Sequence, residues 1–86
     1  MAPIVVWNRK PGKNVDHVAD HGLTPDEVEE VLLDDTLSTQ TSNRSGRPCK
    51  FGWTSTGKHI IVIWIELNGD PGKLLPITAY PVPPPS

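Results

Sequence analysis

Lys58-His59-Ile60-Ile61-Val62-Ile63-Trp64-Ile65-Glu66 is the stretch that decides the fold. Seven consecutive positions, His59 to Ile65, are apolar or carry a ring. The run is too short to span a membrane. Its β-branched side chains are stiff at χ1 and disfavour a helix. An apolar run without alternation fits a strand buried on both faces, the centre of a sheet. The rest of the chain must pair with it, cover it, or line the site it supports.

Its neighbours follow from short turns. Before it, Pro48 to Thr54 alternates, with Cys49, Phe51 and Trp53 pointing one way and Lys50 and Gly52 the other. Ser55-Thr56-Gly57 is a tight hairpin turn into the central strand. After it, Asn68-Gly69-Asp70-Pro71-Gly72 is a turn into a last strand, Lys73 to Tyr80. Pro76 removes a ladder donor there, which favours an edge position or a bulge. These three strands form an antiparallel meander. Upstream, Asn43 to Arg47 is a turn with two guanidinium groups, and Thr39 to Ser42 is a loop or a weak edge strand.

The N-terminal half supplies the cover. Ile4 to Asn8 reads as a first strand, ended by Lys10-Pro11-Gly12. Asn14 is placed to cap a helix from Val15 to about His21, with Val15, Val18 and Ala19 on one face and Gly22 as the residue past its end. Thr24-Pro25-Asp26-Glu27 is a capping box with Pro at the first helical position, and Leu23 and Val28 are spaced for a hydrophobic staple. Val28, Val31 and Leu32 are the buried face of this second helix, and Asp34-Asp35-Thr36 ends it. The expected order is β-α-α-β-β-β, an α+β domain over residues 1–80 with two helices on an antiparallel meander. Pro81 to Ser86 is a Pro-rich, polyproline-type tail.

Eighty-six residues make one small domain, which buries only about 60–65% of its unfolded surface. A second copy or a partner would add buried area, so a homodimer joined by sheet edges is one expected assembly. A single cysteine, Cys49, excludes an internal disulfide and a cysteine zinc cluster. No secretory signal or membrane span is read, and a soluble cytoplasmic protein is expected. The net charge of −2 hides a segregation: eight of the ten acids lie between Asp16 and Asp35, where there is no Lys or Arg. The rest carries eight basic residues against Glu66 and Asp70, a balance of +6. The basic part can meet phosphate, or simply attract the acidic helices.

The layout, the His21-Gly22 corner, the Gly52-Trp53-Thr54-Ser55-Thr56-Gly57-Lys58 hairpin and Pro76-Ile77-Thr78-Ala79 together resemble the BrnT family of RelE-like toxins from type II toxin–antitoxin modules. The resemblance runs from about Val5 to Tyr80. It implies a RelE-like fold, a metal-independent endoribonuclease acting on RNA, no cofactor, and a cognate antitoxin protein as partner. His17 and Asp20 stand where the family has Asn and Lys at the corner, and Tyr80 stands where the last strand carries arginine. These departures leave an alternative open: a RelE-like fold without catalysis, acting as a protein-binding or regulatory module.

Metal-free RNA cleavage needs a base for the 2′-hydroxyl, a cation for the phosphate charge and an acid for the leaving oxygen. His21 matches the family position, although a histidine ending a helix also serves the dipole. Lys58 matches a basic position of the family hairpin and reads as a phosphate contact. His59 beside it faces the other way, so only one of the two serves a given site. Tyr80 can donate a hydrogen bond or a proton but cannot neutralise phosphate as a guanidinium does. The catalytic candidates are therefore His21, Lys58 and Tyr80. Arg44, Arg47 and Lys50 are substrate-binding candidates through phosphate, and Trp53 through base stacking. Trp64 reads as core. His17 and His21 share a helix face, but without a third ligand no metal site is assigned.

Overall fold

The computed structural model describes residues 3–85. The elements are β1 (Ile4–Val5), α1 (Asn14–Asp20), α2 (Pro25–Leu32), β2 (Gln40–Thr41), β3 (Pro48–Trp53), β4 (His59–Glu66) and β5 (Lys73–Pro81), with a 3-10 turn at Leu67–Gly69. They form an α+β domain whose five strands lie in the order β1-β5-β4-β3-β2. The expected meander is present: β4 pairs antiparallel with β3 on one side and β5 on the other. The sheet as a whole is mixed, because β1 runs parallel to β5 through Ile4 opposite Lys73 and Val5 opposite Leu74. β1 is also shorter than the expected Ile4-to-Asn8 strand. The weak strand near Thr39 exists as β2, held to the start of β3.

Pro76 lies at a bulge, on the part of β5 whose outer side no described strand covers. The register with β4 slips between Ile63 and Trp64, which face Thr78 and Pro76 and leave Ile77 as the extra residue. β5 continues to Pro81, one residue past the expected end at Tyr80. Val82 N–H then donates to His59 O at 2.9 Å, so the start of the tail still follows the sheet. Ser86, the tail's last residue, lies outside the described residues, as do residues 1 and 2 of the expected domain.

Two apolar clusters lie on opposite faces of the sheet. On the helix side, Ile60, Val62, Trp64, Leu74 and Ala79 meet Val18, Leu23, Val28, Val31 and Leu32. On the other side Cys49, Ile61 and Ile63 are buried, with Phe51, Tyr80 and Val82 packed around them. The alternation of β3 is as expected. The helix side of Gly52 is filled by neighbours, since a Cβ there would sit 2.7 Å from Leu37 Cδ1 and 3.3 Å from both Val31 Cγ atoms. Glycine lets the helix layer approach the strand.

The capping box at Thr24 forms as expected: Glu27 N–H donates to Thr24 Oγ1, and Thr24 N–H donates to Glu27 Oε1. The α1 expectation needs correcting. Asn14 is the first helical residue and does not cap, since Lys13 occupies the cap position without a side-chain bond. The Asn14 amide is buried: its Nδ2 donates to Val6 O and Pro76 O at 3.0 Å, and its Oδ1 accepts from Asn8 N–H at 2.8 Å. It ties the segment after β1 to the bulge of β5, which satisfies more buried groups than a helix cap would. Val18 is fully buried, but Ala19 is exposed, so the buried face of α1 is narrower than its spacing suggests. Gly22 takes the left-handed conformation expected past the end of α1, with φ 77°.

Candidate functional site

The charged groups drawn into the helix side are hydrogen-bonded to neighbours there. Glu27, on the first turn of α2, is 4% exposed. It accepts from the Thr56 hydroxyl, from Thr24 N–H at 3.0 Å, and from Lys58 Nζ at 3.0 and 3.3 Å. The Thr56 bond chiefly holds its carboxyl far below the ordinary carboxylate range, at about 2; burial opposes this and Lys58 reinforces it. Glu30, one turn later, accepts from Ser55 N–H at 2.6 Å and from its hydroxyl at 2.8 Å. The two glutamates thus clasp the β3–β4 hairpin turn to α2. Lys58 completes the clasp by donating to Gly22 O at 2.9 Å.

Lys58, expected as a phosphate contact, therefore points to the helix side and is paired there. Lys50 is also on that side and is 8% exposed. Its Nζ donates to Leu32 O at 2.9 Å and Asp34 O at 3.2 Å, carbonyls at the end of α2. Asp34 has its own carboxylate turned to Thr36, whose hydroxyl and N–H bonds lower its pKa.

The opposite face carries rings. Trp53, 58% exposed, lies against His59 with ring centroids 5.0 Å apart and a tilt of 52°. The two face each other across β3 and β4. His21 reaches the Tyr80 ring past β5, whose outer side no described strand covers beyond Leu74; the centroids are 5.5 Å apart and tilted by 51°. Tyr80 lies opposite Ile61, two residues along the face from His59. Diagonal neighbours on a sheet are about 7–8 Å apart, so the two pairs form one band at the β4 start. Cys49 lies deeper under this face, where burial pushes its thiol up and keeps it an apolar filler.

The fold thus brings His21, Tyr80 and Trp53 to one end of the sheet, adds His59, and takes Lys58 and Lys50 to the other face. Arg44 and Arg47 sit in the segment before β3, nine and six residues from Trp53. That places Arg47 about 20 Å away along the strand. His59 is the residue that the choice of Lys58 displaced. Its alternation with Ile61 and Ile63, matched to Cys49, Phe51 and Trp53 across the hairpin, is the signal that points to it. Its Nδ1 lies 3.4 Å from Val82 O. A carbonyl can only accept, so the neutral tautomer that bonds to it carries its proton on Nδ1 and has its free lone pair on Nε2. Among the described residues no three His, Cys, Asp or Glu side chains are grouped to hold a metal. Among the described residues no helix is long and apolar enough to cross a membrane.

Comparison with protein-family models, with curated proteins and with solved structures found no match.

Proposed function

We propose that the chain is a BrnT/RelE-like toxin homologue that binds single-stranded RNA on the helix-free face of its sheet and cleaves it without metal, under control of a cognate antitoxin. The observation that carries this reading is the band of four rings, Trp53, His59, Tyr80 and His21, at the β4 start. Exposed aromatic rings on a sheet stack on unpaired bases, and imidazoles exchange protons with reacting oxygens. In this scheme His59 Nε2 takes the proton of the 2′-hydroxyl. His21, oriented by its contact with Tyr80, gives one to the leaving 5′ oxygen. Trp53 holds a neighbouring base. An RNA oligonucleotide incubated with the protein and EDTA should yield fragments ending in 2′,3′-cyclic phosphate. His59→Ala and His21→Ala should each slow cutting by about 100-fold. Absence of cutting by folded, partner-free protein would defeat the proposal.

A second reading, a RelE-like fold without catalysis that binds a protein, is favoured by one observation. The cations nearest the ring band are committed elsewhere: Lys58 to Glu27, and Lys50 to the end of α2. The phosphate charge then has no built partner in the band. This reading expects a stable complex with the antitoxin and no growth arrest on expression alone. Growth arrest relieved by Tyr80→Ala would exclude it.

A further inference from the structure

A cavity of about 830 Å³ lies on the helix side at the end of the sheet away from the ring band. It exists because α2 stops at Leu32 while β4 runs on to Glu66, leaving the last turn of the strand without a helix above it. Its walls include Leu32, Leu74 and the Trp64 indole, and Lys50 lines it. Lys50 Nζ is 5.9 Å from the centre of a Trp64 ring. An ammonium has three N–H donors, and the hydrogen bonds to Leu32 O and Asp34 O use two of them. Among the described residues no carboxylate forms a salt bridge with Lys50.

Burying an ammonium without a carboxylate is expensive. The carboxyl end of α2 offsets it with about half an opposite charge and the nearby Asp34 carboxylate attracts it. This leaves one N–H of a buried ammonium without a partner in a wall that is apolar at Leu32, Leu74 and Trp64 and carries the exposed side chains of Asp35 and Glu66. Capping α2 does not require this arrangement, because an exposed lysine in the last turn would reach the same carbonyls. We propose that the cavity is a binding site for a small amphipathic monocarboxylate. The carboxylate takes the remaining N–H of Lys50, and the apolar body lies against Trp64, Leu32 and Leu74. The exposed carboxylates of Asp35 and Glu66, also in the wall, repel a second negative charge and so select against dianions. This site is independent of the ring band, which lies on the other face.

The test is titration of the full chain, followed by ¹H–¹⁵N NMR, with 3-phenylpropanoate, its neutral amide and the cation 2-phenylethylamine. Propanoate should give saturable shifts at the Trp64 indole and at the amides of Leu33 to Asp35. The amide should bind about tenfold more weakly, having lost the charge-assisted bond, and the amine should not bind. Asp35→Asn combined with Glu66→Gln should tighten propanoate by about two- to threefold. Lys50→Met should abolish the preference for carboxylate over amide. If that variant does not fold, the charge series on the parent chain and on the Asp35/Glu66 variant decides. Equal binding of all three probes, tighter binding of the amine, or shifts confined to Trp53 and His59 would each overturn the proposal.

Discussion

The two faces of this sheet treat polar side chains in opposite ways. On the helix side Glu27, Lys50 and Lys58 are drawn inward and bonded to neighbours. On the other side Trp53 and His21 stay exposed, and their recorded partners are rings. Glu27 and Lys58 satisfy each other within the fold, which uses up groups that could bind something else, while Lys50 keeps one N–H. Exposed rings keep their faces and nitrogens available. Substitutions in the Glu27–Lys58 clasp should therefore change stability, and those among the exposed rings should change binding.

The largest effect is expected at Glu27. Glu27→Ala removes the cap on Thr24 N–H, the Thr56 bond and the Lys58 partner together. A lost cap is worth about 1 kcal/mol, and orphaned donors add about 1–3 kcal/mol, so urea unfolding should show a loss of about 3 kcal/mol. Acid should act through the same residue. The Glu27 carboxyl titrates at about 2 when folded, against an ordinary value of 4.5. A lowered folded pKa means that the unfolded state binds the proton first. The stabilisation is therefore complete above the unfolded value and is lost as pH falls from about 4.5 towards 2. Glu27→Gln should flatten that limb of the stability profile. An unchanged acid limb would show that the clasp contributes little.

Asn14 should come next. It makes three hydrogen bonds on the outer side of β5, and the one to Pro76 O is buried. Asn14→Ala should cost about 2 kcal/mol in the same unfolding assay. It should also speed amide exchange at Val6 and Asn8, whose segment it anchors. Gly52→Ala follows at about 1 kcal/mol. The tip of Leu37 can swing away from an added methyl, whereas Val31 must shift against it. Combining Gly52→Ala with Leu37→Ala should recover part of that loss.

What the sequence made legible follows the range of each signal. The capping box, the central strand and the two hairpin turns depend on residues a few positions apart, and each formed where the spacing placed it. The role of Asn14 depends on Pro76, 62 residues away, and so looked like an ordinary cap. Among the described residues β1 pairs through Ile4 and Val5, and its parallel direction is set by where the chain returns. For the candidate site, alternation correctly separated Trp53 from Lys50. It did not say which face the helices would cover, and that decided whether Lys58 or His59 was exposed to a ligand. Long amines were the hardest to place. Lys50 and Lys58 carry their charge to backbone carbonyls that only the packed helices bring within reach.

Trp53 should show the smallest effect on folding and the sharpest contrast between the faces. It is 58% exposed and its recorded contact is the His59 ring. Trp53→Ala should therefore change unfolding free energy by less than about 0.5 kcal/mol, as at surface sites without a special role. The same variant should weaken binding of a single-stranded RNA oligonucleotide by about 1–3 kcal/mol, the value of one stacked base. Fluorescence anisotropy with a labelled oligonucleotide measures the second quantity and urea unfolding the first. A stability loss as large as that of Gly52→Ala would make Trp53 a structural cover for Cys49, Ile61 and Ile63, and the contrast between the faces would then fail at this residue. Intact stability with unchanged RNA affinity would remove stacking from the proposed mechanism and leave the protein-binding reading as the stronger of the two.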